Sequence, residues 1–227
     1  MTPDEQKHTA GEAAAALIEP GMLVGLGTGT TAAWFVRALA QRRIGVRGVP
    51  TSQATAALAR SLGIEVVGLD DVGTIDLTVD GADEIGPGLA LIKGGGAALL
   101  REKLVWSASS RCLVIADASK QVTRLGAFPL PIEVVAFGHA ATARRICAAL
   151  RGAGIDASPR LRVASGAAVI TDGGNVIYDA PCGAIVDPQA LADTLKAVTG
   201  VVDHGLFLGL ADRALIGGDA GVISLDR

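Results

Sequence analysis

The fold is decided by the stretch Met22-Leu23-Val24-Gly25-Leu26-Gly27-Thr28-Gly29-Thr30-Thr31. Its apolar half, residues 22–26, is too short for a helix and predicts a buried strand. The glycine-rich half leads into an alanine-rich segment that predicts a helix to about Arg42, capped by Thr30 or Thr31. A strand, a tight turn and a helix in this order indicate an α/β protein.

Helices and short apolar strands alternate around this stretch. Thr2-Pro3-Asp4-Glu5 forms a capping box with proline at the first helical position, which predicts a helix to about Ile18. Ser52 is predicted to cap a helix that ends at Leu62-Gly63. Further strands are predicted at residues 46–49, 64–67, 75–80, 89–92 and 112–116, with a helix at 97–107. This alternation predicts a Rossmann-like, mostly parallel sheet with helices on both faces.

The order of elements changes after about Pro129. A strand at residues 132–137 and a helix at 139–151 precede two strands, 167–171 and 176–178, that flank the turn Asp172-Gly173-Gly174-Asn175 as a hairpin. A helix from Asp187-Pro188 and an extended segment at 201–208 complete a β-α-β-β-α-β order, which predicts a ferredoxin-like α+β domain. The domains are therefore predicted as 1–129 with 207–227, the catalytic domain, and 130–206. The closing strands, 214–216 and 222–225, are expected to return to the first sheet.

Composition excludes several classes of protein. With a formal net charge of -3 and 3% aromatic residues, the 227-residue chain has neither the basic surface nor the stacking platforms that nucleic acid requires. Its first twenty residues resemble no targeting segment, and no long uncharged run predicts a membrane span. Cys112, Cys147 and Cys182 are predicted to be reduced, buried thiols in a cytoplasmic protein. The histidines show no ligand spacing, so no metal is expected.

The turn from Gly25 to Thr31 is a candidate phosphate site. Backbone N–H groups and the positive end of the following helix can hold an anion there. The alternative is an ordinary tight turn with threonine caps. No Gly-Lys-Ser/Thr sequence completes a nucleotide P-loop, and Thr30 stands where the dinucleotide fingerprint has its third glycine, so a simple phosphoester is favoured over a nucleotide. Thr51-Ser52, after the next strand, is expected at the same sheet edge, although Ser52 alone is explained by capping.

Two further segments carry charged residues at strand ends. Asp80-Gly81-Ala82-Asp83-Glu84 directly follows an apolar strand; a solvated acidic loop and a magnesium site are the alternatives to a catalytic role. Lys93-Gly94-Gly95-Gly96-Ala97 contains three consecutive glycines, whose entropy cost suggests close approach to a ligand.

Later charged residues complete the set of candidates. Glu102 is predicted to turn toward the cleft from the helix that follows the glycines, whereas Arg101 and Lys103 are interpreted as surface charges. Asp117-Ala118-Ser119-Lys120 places Lys120 after another strand, where it is either a partner for a phosphate or carboxylate or simply a solvated lysine.

Together these motifs closely resemble the type A ribose-5-phosphate isomerases, and the match continues through Phe128-Pro129-Leu130-Pro131, Thr171 to Asn175 and Gly205-Leu206-Phe207. The resemblance implies interconversion of ribose 5-phosphate and ribulose 5-phosphate in the pentose phosphate pathway, without metal, nucleotide or other cofactor, by a cytoplasmic homodimer or higher homo-oligomer. It assigns proton transfer to Glu102. Its substrate-binding positions are Thr28, Gly29, Thr30, Thr31, Asp80, Gly81, Ala82, Asp83, Lys93, Gly94, Gly95, Gly96 and Lys120. Residues 48–53 and 219–227 follow the family less closely.

Aldose–ketose isomerisation needs a base, a proton source for oxygen and positive groups for the developing charge. Glu102 is expected to move the proton between C2 and C1, and Asp80 or Asp83 to assist ring opening and proton transfer to oxygen. Lys93 and the N–H groups after it would stabilise the enediolate. The alternatives are a related sugar-phosphate isomerase or deaminase and a sugar-phosphate sensing domain; the chain has no helix-turn-helix for a sensor to signal through.

Overall fold

The structure is a computed structural model that describes residues 1–227. Its contacts cluster into two compact units. The first unit comprises Met1–Ala82, Arg101–Gln121 and Gly209–Arg227, and the second comprises Asp83–Leu100 and Val122–Leu208. The division of the chain at residues 129/130 and 206/207 stays a prediction.

The helices are Pro3–Ala16 (α1), Thr30–Arg42 (α2), Gln53–Ser61 (α3), Leu99–Ser107 (α4), His139–Gly152 (α5) and Pro188–Lys196 (α6). The strands are Leu23–Leu26 (β1), Arg47–Pro50 (β2), Glu65–Val66 (β3), Leu77–Gly81 (β4), Glu84–Ile85 (β5), Leu91–Ile92 (β6), Cys112–Asp117 (β7), Leu130–Val134 (β8), Arg160–Leu161 (β9), Val163–Ala164 (β10), Ala167–Ala168 (β11), Val176–Ala180 (β12), Val201–His204 (β13), Leu206–Phe207 (β14), Arg213–Gly218 (β15) and Gly221–Asp226 (β16).

Local capping signals explain where most of the early helices begin. The predicted capping box is present at α1, where the Thr2 side chain accepts from the Glu5 N–H and the Glu5 side chain accepts from the Thr2 N–H. Ser52 caps α3 by accepting from the Thr55 N–H. The prediction for α2 was wrong: its N-cap is Gly29, no side chain caps it, and Thr30 is already helical. Gly29 has φ of 106°, which a threonine side chain would disfavour at that position.

The first unit contains a seven-stranded sheet in the order β16-β15-β7-β4-β1-β2-β3. All its strands run parallel except β16, which pairs antiparallel with β15. Apolar residues of α1, α2 and α3 pack with β1, β4 and β7 in one core cluster, and Val105 of α4 joins Leu23 and Val49 in another. The Rossmann-like α/β prediction is confirmed, as is the return of the closing strands to this sheet.

The second unit contains a four-stranded antiparallel sheet in the order β13-β8-β12-β9. Together with α5 and α6 this is the ferredoxin-like arrangement that the order of elements predicted. Its core combines inward residues of β8 and β12 with Ile146 and Leu150 of α5 and Leu191 and Leu195 of α6. A separate three-stranded sheet, in the order β14-β6-β5, includes the strand that leads into Lys93.

Two details of the second unit correct the sequence-based expectations. The strand that pairs with β12 on the side away from β8 is β9, not residues 167–171; Ala167–Ala168 pairs instead with Val163–Ala164. Only one isolated bridge, between Ile170 and Val176, remains of the predicted hairpin. The Ile170 side chain is 58% exposed, so it adds no apolar contact to the core that would hold a strand in register there. Strand β8 also ends before Phe137, which is 93% exposed.

The three cysteines form no disulfide; Cys112 and Cys182 are buried, whereas Cys147 is only half-buried. Burial raises the pKa of the Cys182 thiol to about 11, so this thiol stays protonated at neutral pH. No cluster of three or more histidine, cysteine, aspartate or glutamate side chains is arranged to hold a metal ion. None of the helices is both long and apolar enough to span a membrane.

Candidate active site

The glycine-rich turn after β1 is locked to the end of β4. The Gly27 N–H donates to the Val79 carbonyl at 2.9 Å, and the Thr28 N–H donates to Asp80 Oδ1 at 3.0 Å. Gly27 must be glycine because a Cβ there would lie 2.2 Å from Asp80 Oδ1 and 2.5 Å from Asp80 Cα. The turn is therefore held in one conformation by neighbouring strand ends.

The start of α2 leaves backbone donors free to bind an anion. Gly29 caps the helix without a side-chain hydrogen bond, so the N–H groups of Thr30 and Thr31 have no acceptor within the protein. The partial positive charge of the helix end adds to this preference for an anion. This geometry supports the phosphate-site interpretation over an ordinary capped turn.

Hydroxyl groups surround Thr28 on its other side. Thr28 Oγ1 lies 2.7 Å from Thr51 Oγ1, 2.8 Å from Ser52 Oγ and 3.2 Å from Thr55 Oγ1. The structure thus places Thr51 and Ser52 beside the turn, as expected from their position after β2. Thr55 was missed, although its place three residues after the N-cap Ser52 is the signal that could have found it. Its hydroxyl also donates to the Gly27 carbonyl at 2.9 Å, so it helps to hold the turn.

Asp80 lies at the end of β4 and is fully buried. Its Oδ1 accepts from the Gly81 N–H at 2.7 Å as well as from the Thr28 N–H. These acids do not form the alternative solvated loop, since Glu84 is also buried and accepts from the Gly126 and Phe128 N–H groups at 2.7 and 2.5 Å. Glu84 therefore has a structural role in the second unit, and Asp80 connects the end of β4 to the glycine-rich turn that is the candidate phosphate site.

The lysine and glycine segment belongs to the second unit together with Asp83. The Gly95 N–H donates to Asp83 Oδ2 at 2.8 Å, and a Cβ on Gly95 would lie 2.6 Å from Asp83 Oδ1. The glycine thus allows the carboxylate to approach the backbone. The Lys93 side chain is buried, with Nζ 5.5 Å from the centre of the Phe207 ring. Such a cation–π contact stabilises an ammonium removed from water.

Glu102 and Lys120 belong to the first unit. Glu102 lies in the first turn of α4 and is buried, in contrast to a surface glutamate. Lys120 ends a short 3₁₀ turn, Ala118–Lys120, and is half-buried. Asp117 caps this turn by accepting from the Ser119 N–H at 3.0 Å, and Gln6 Oε1 accepts from the Ala118 N–H at 3.2 Å. The position of Lys120 therefore depends on α1 as well as on β7.

The candidate residues divide between the two units. Thr28 to Thr31, Asp80 to Ala82, Glu102 and Lys120 lie in the first, and Asp83 and Lys93 to Gly96 lie in the second. The structure brings Thr28 into contact with Asp80, and Asp83 into contact with Gly95.

Replacing Gly27 by alanine is expected to destabilise the first unit by about 1–3 kcal/mol, since the new Cβ would collide with Asp80. The displaced turn should also weaken binding of phosphate esters. Thermal unfolding measures the loss of stability, and the dissociation constant of a phosphate ester measures the loss of binding. Gly73→Ala is the matched control, because nothing lies within 4 Å of a Cβ at that position. Equal stability of the two variants would contradict the close contact between Gly27 and Asp80.

Comparisons with known proteins agree with one another. Residues 47–221 match a family described as ribose 5-phosphate isomerase A (phosphoriboisomerase A). The ribose-5-phosphate isomerase A of Caulobacter sp. (strain K31) is 68% identical over 226 residues, which are 99% of each chain. That of Methylorubrum extorquens is 52% identical over 99% of this chain and 98% of its own.

Solved structures agree with these relatives. A D-ribose-5-phosphate isomerase in complex with phospho-erythronic acid superposes with a TM-score of 0.93 at 38% identity, covering 100% of both chains. The ribose 5-phosphate isomerase from Plasmodium falciparum gives 0.93 at 36% identity over 99% of both chains. The similarity in sequence and in fold therefore extends over nearly the whole length of the chain.

Proposed function

Because the chain belongs to the ribose 5-phosphate isomerase A family, we propose that it interconverts D-ribose 5-phosphate and D-ribulose 5-phosphate in the non-oxidative pentose phosphate pathway. One observation carries the proposal: the charged residues of the family motifs are buried, with Asp80, Lys93 and Glu102 exposed by 0%, 2% and 4%. Burying charged groups is costly, so the burial of these three side chains points to chemistry rather than to solubility.

Glu102 is the base in this proposal. Its carboxylate removes the proton from C2 of the open-chain aldose, and the electrons of the C–H bond form the C1–C2 double bond of an enediolate. The carbonyl electrons move to O1, where a proton is taken up. Return of the first proton to C1 and loss of the O2 proton give the ketose, so the reaction needs neither oxidant nor reductant.

Lys93 and the N–H groups after it stabilise the enediolate. A buried ammonium acts strongly on negative charge because little water screens it, and backbone donors add to this effect without reorganising. Asp80 or Asp83 assists opening of the furanose ring by moving a proton between the ring oxygen and the O1 hydroxyl. The Gly95 N–H holds the Asp83 carboxylate for this task, and the Thr28 and Gly81 N–H groups hold that of Asp80.

The phosphate of the substrate is assigned to the start of α2. The free N–H groups of Thr30 and Thr31 suit phosphate oxygens, and Lys120 supplies a positive charge. The hydroxyls around Thr28 bind one another and the Gly27 carbonyl, so they hold the turn in place. A related isomerase was solved with phospho-erythronic acid, a phosphorylated acid. A carboxylate on such a molecule resembles the oxygens of an enediolate, which supports an enediolate intermediate here as well.

Other properties are proposed from the family resemblance and the composition. The enzyme works as a homodimer or higher homo-oligomer in the cytoplasm, and it uses no metal, nucleotide, nucleic acid or membrane. The low aromatic content and the negative net charge support the exclusion of nucleic acid. Light scattering on the purified protein measures its oligomeric state directly.

A coupled assay with ribose 5-phosphate in the presence of a chelator tests the function. We expect undiminished formation of ribulose 5-phosphate, because the charged residues supply the chemistry without a metal. Loss of turnover with the chelator, restored by a divalent cation, would contradict metal independence. Ammonia release from an amino-sugar phosphate without isomerisation would indicate a deaminase, and binding of ribose 5-phosphate without turnover would indicate a sensor.

A further inference from the structure

The side chain of Arg162 binds the backbone of the glycine segment. Its Nη1 donates to the Gly94 carbonyl at 2.8 Å and to the Gly95 carbonyl at 3.0 Å. The other edge of the guanidinium pairs with both carboxylate oxygens of Asp179, with Nε 2.8 Å from Oδ2. All four residues belong to the second unit, and the side chains of Arg162 and Asp179 are only 16% and 27% exposed.

These contacts determine the direction in which the glycine N–H groups point. In a trans peptide the C=O and the following N–H point to opposite sides, and the chain contains no cis peptide. Arg162 holds the Gly94 carbonyl, so the Gly95 N–H must point away from it, and this N–H is indeed bound to Asp83 Oδ2. The Gly95 carbonyl is held in the same way, so the Gly96 N–H also points away from Arg162.

The Gly96 N–H is the one donor of this pair that the protein leaves unused. It has no acceptor within the chain, and Gly96 is exposed. Three consecutive glycines have little conformational preference of their own, so their alignment has to come from contacts outside the segment. The Ala97 N–H, which donates to the Gly94 carbonyl at 3.0 Å, closes a turn but leaves the Gly95 carbonyl to Arg162.

We propose that Arg162, oriented by Asp179, is a positioning residue that aims the Gly96 N–H at the enediolate oxygens and holds the Gly95 N–H on Asp83. This inference rests on the proposed isomerase function and adds two residues to its machinery. Lysine cannot replace Arg162, because only the planar guanidinium binds a carboxylate with two donors while a third nitrogen reaches two carbonyls. Arg162 itself touches no substrate in this scheme.

The test compares Arg162→Lys and Asp179→Asn with Arg160→Ala. Arg160 is the matched control: it is exposed, lies two residues before Arg162, and pairs with Asp179 only through the backbone of β9. Because misaligned donors near the reacting atoms reduce turnover strongly, we expect Arg162→Lys to lower kcat about 10- to 100-fold, with KM changed by less than about threefold. Asp179→Asn should produce a smaller fall in kcat, and Arg160→Ala should stay within about twofold.

Binding of phospho-erythronic acid separates positioning from a purely structural role. An analogue of the enediolate should lose affinity in Arg162→Lys roughly in proportion to kcat, about 10- to 100-fold, whereas the ground-state substrate should not. Partial unfolding would lower the number of sites but leave the affinity of the remaining sites unchanged. Added guanidinium ion should restore part of the turnover of Arg162→Ala and none of that of Glu102→Gln.

Each outcome decides the question. Unchanged kcat in Arg162→Lys, or equal losses of affinity for substrate and analogue, would overturn the positioning role. If Arg162→Lys does not fold, Asp179→Asn tests the same alignment, and normal turnover and analogue affinity in it would overturn the role too. Absence of turnover in the unaltered enzyme would refute the proposed function, whereas normal turnover in all variants would refute only the role of Arg162.

Discussion

Glu102→Gln is expected to lower kcat by about two to four orders of magnitude, the contribution typical of a general base. The amide keeps the size and hydrogen-bonding shape of the buried carboxyl but cannot accept the C2 proton. Binding of the substrate should therefore change little. Steady-state kinetics measure the loss, and exchange of the C2 hydrogen with deuterated solvent should slow by the same factor, because exchange requires the same proton abstraction.

Glu65→Gln provides the matched control, since Glu65 is an exposed glutamate on β3 in the same unit. Its kcat should stay within about twofold of the unaltered enzyme, as surface substitutions away from a site have small effects. Near-normal turnover by a correctly folded Glu102→Gln variant would remove Glu102 from the role of base. Thermal unfolding shows whether the variant is folded.

Lys93→Ala is expected to lower kcat by about 10²- to 10³-fold, because it removes the buried positive charge that we propose stabilises the enediolate. The loss should exceed any loss of affinity for inorganic phosphate, since the phosphate is assigned to the start of α2. Kinetics with ribose 5-phosphate and competitive inhibition by inorganic phosphate measure the two quantities separately. A fall in kcat/KM that comes mainly from kcat indicates an interaction made in the transition state.

Two comparisons support the interpretation of this variant. Lys103, a half-buried lysine on α4, has no assigned role, so Lys103→Ala should leave kcat within about twofold. Lys93→Met keeps the volume of the side chain over Phe207 and should still lose kcat, because the charge and not the packing matters. If phosphate affinity falls more than kcat does, Lys93 is a phosphate anchor instead.

The contrast between Asp80 and Asp83 follows from the structure and not from the motif. In sequence the two carboxylates are equivalent members of one acidic stretch. In the structure Asp80 is fully buried and accepts from Thr28 and Gly81, whereas Asp83 is half-buried and accepts from Gly95. Substitution of Asp80 should therefore disturb the glycine-rich turn after β1 as well as the proposed chemistry, while substitution of Asp83 should disturb the glycine segment, residues 94–96.

Local signals in the sequence were sufficient for much of the fold. The capping box at Thr2, the N-cap at Ser52 and the alternation of apolar strands with helices predicted α1, α3 and the parallel sheet correctly. Such signals act within three or four residues, so one chain segment contains both partners of each interaction. The candidate site residues could be predicted for the same reason. Each motif, Asp80 to Asp83 and Lys93 to Gly96, is one contiguous stretch of the sequence.

Contacts between distant segments were decided only by the tertiary structure. Residues 167–171 look like a strand that pairs with β12, yet β9 occupies that place, because strand pairing depends on which residues face the core and not on proximity in sequence. Arg162 reaches Gly94 and Gly95 across 68 and 67 positions, and nothing in the spacing of these residues reveals the contact. The sequence by itself therefore determined most of the elements and most of the chemical groups of the candidate site. The tertiary structure alone decided how those groups are held, because their supports come from long-range packing.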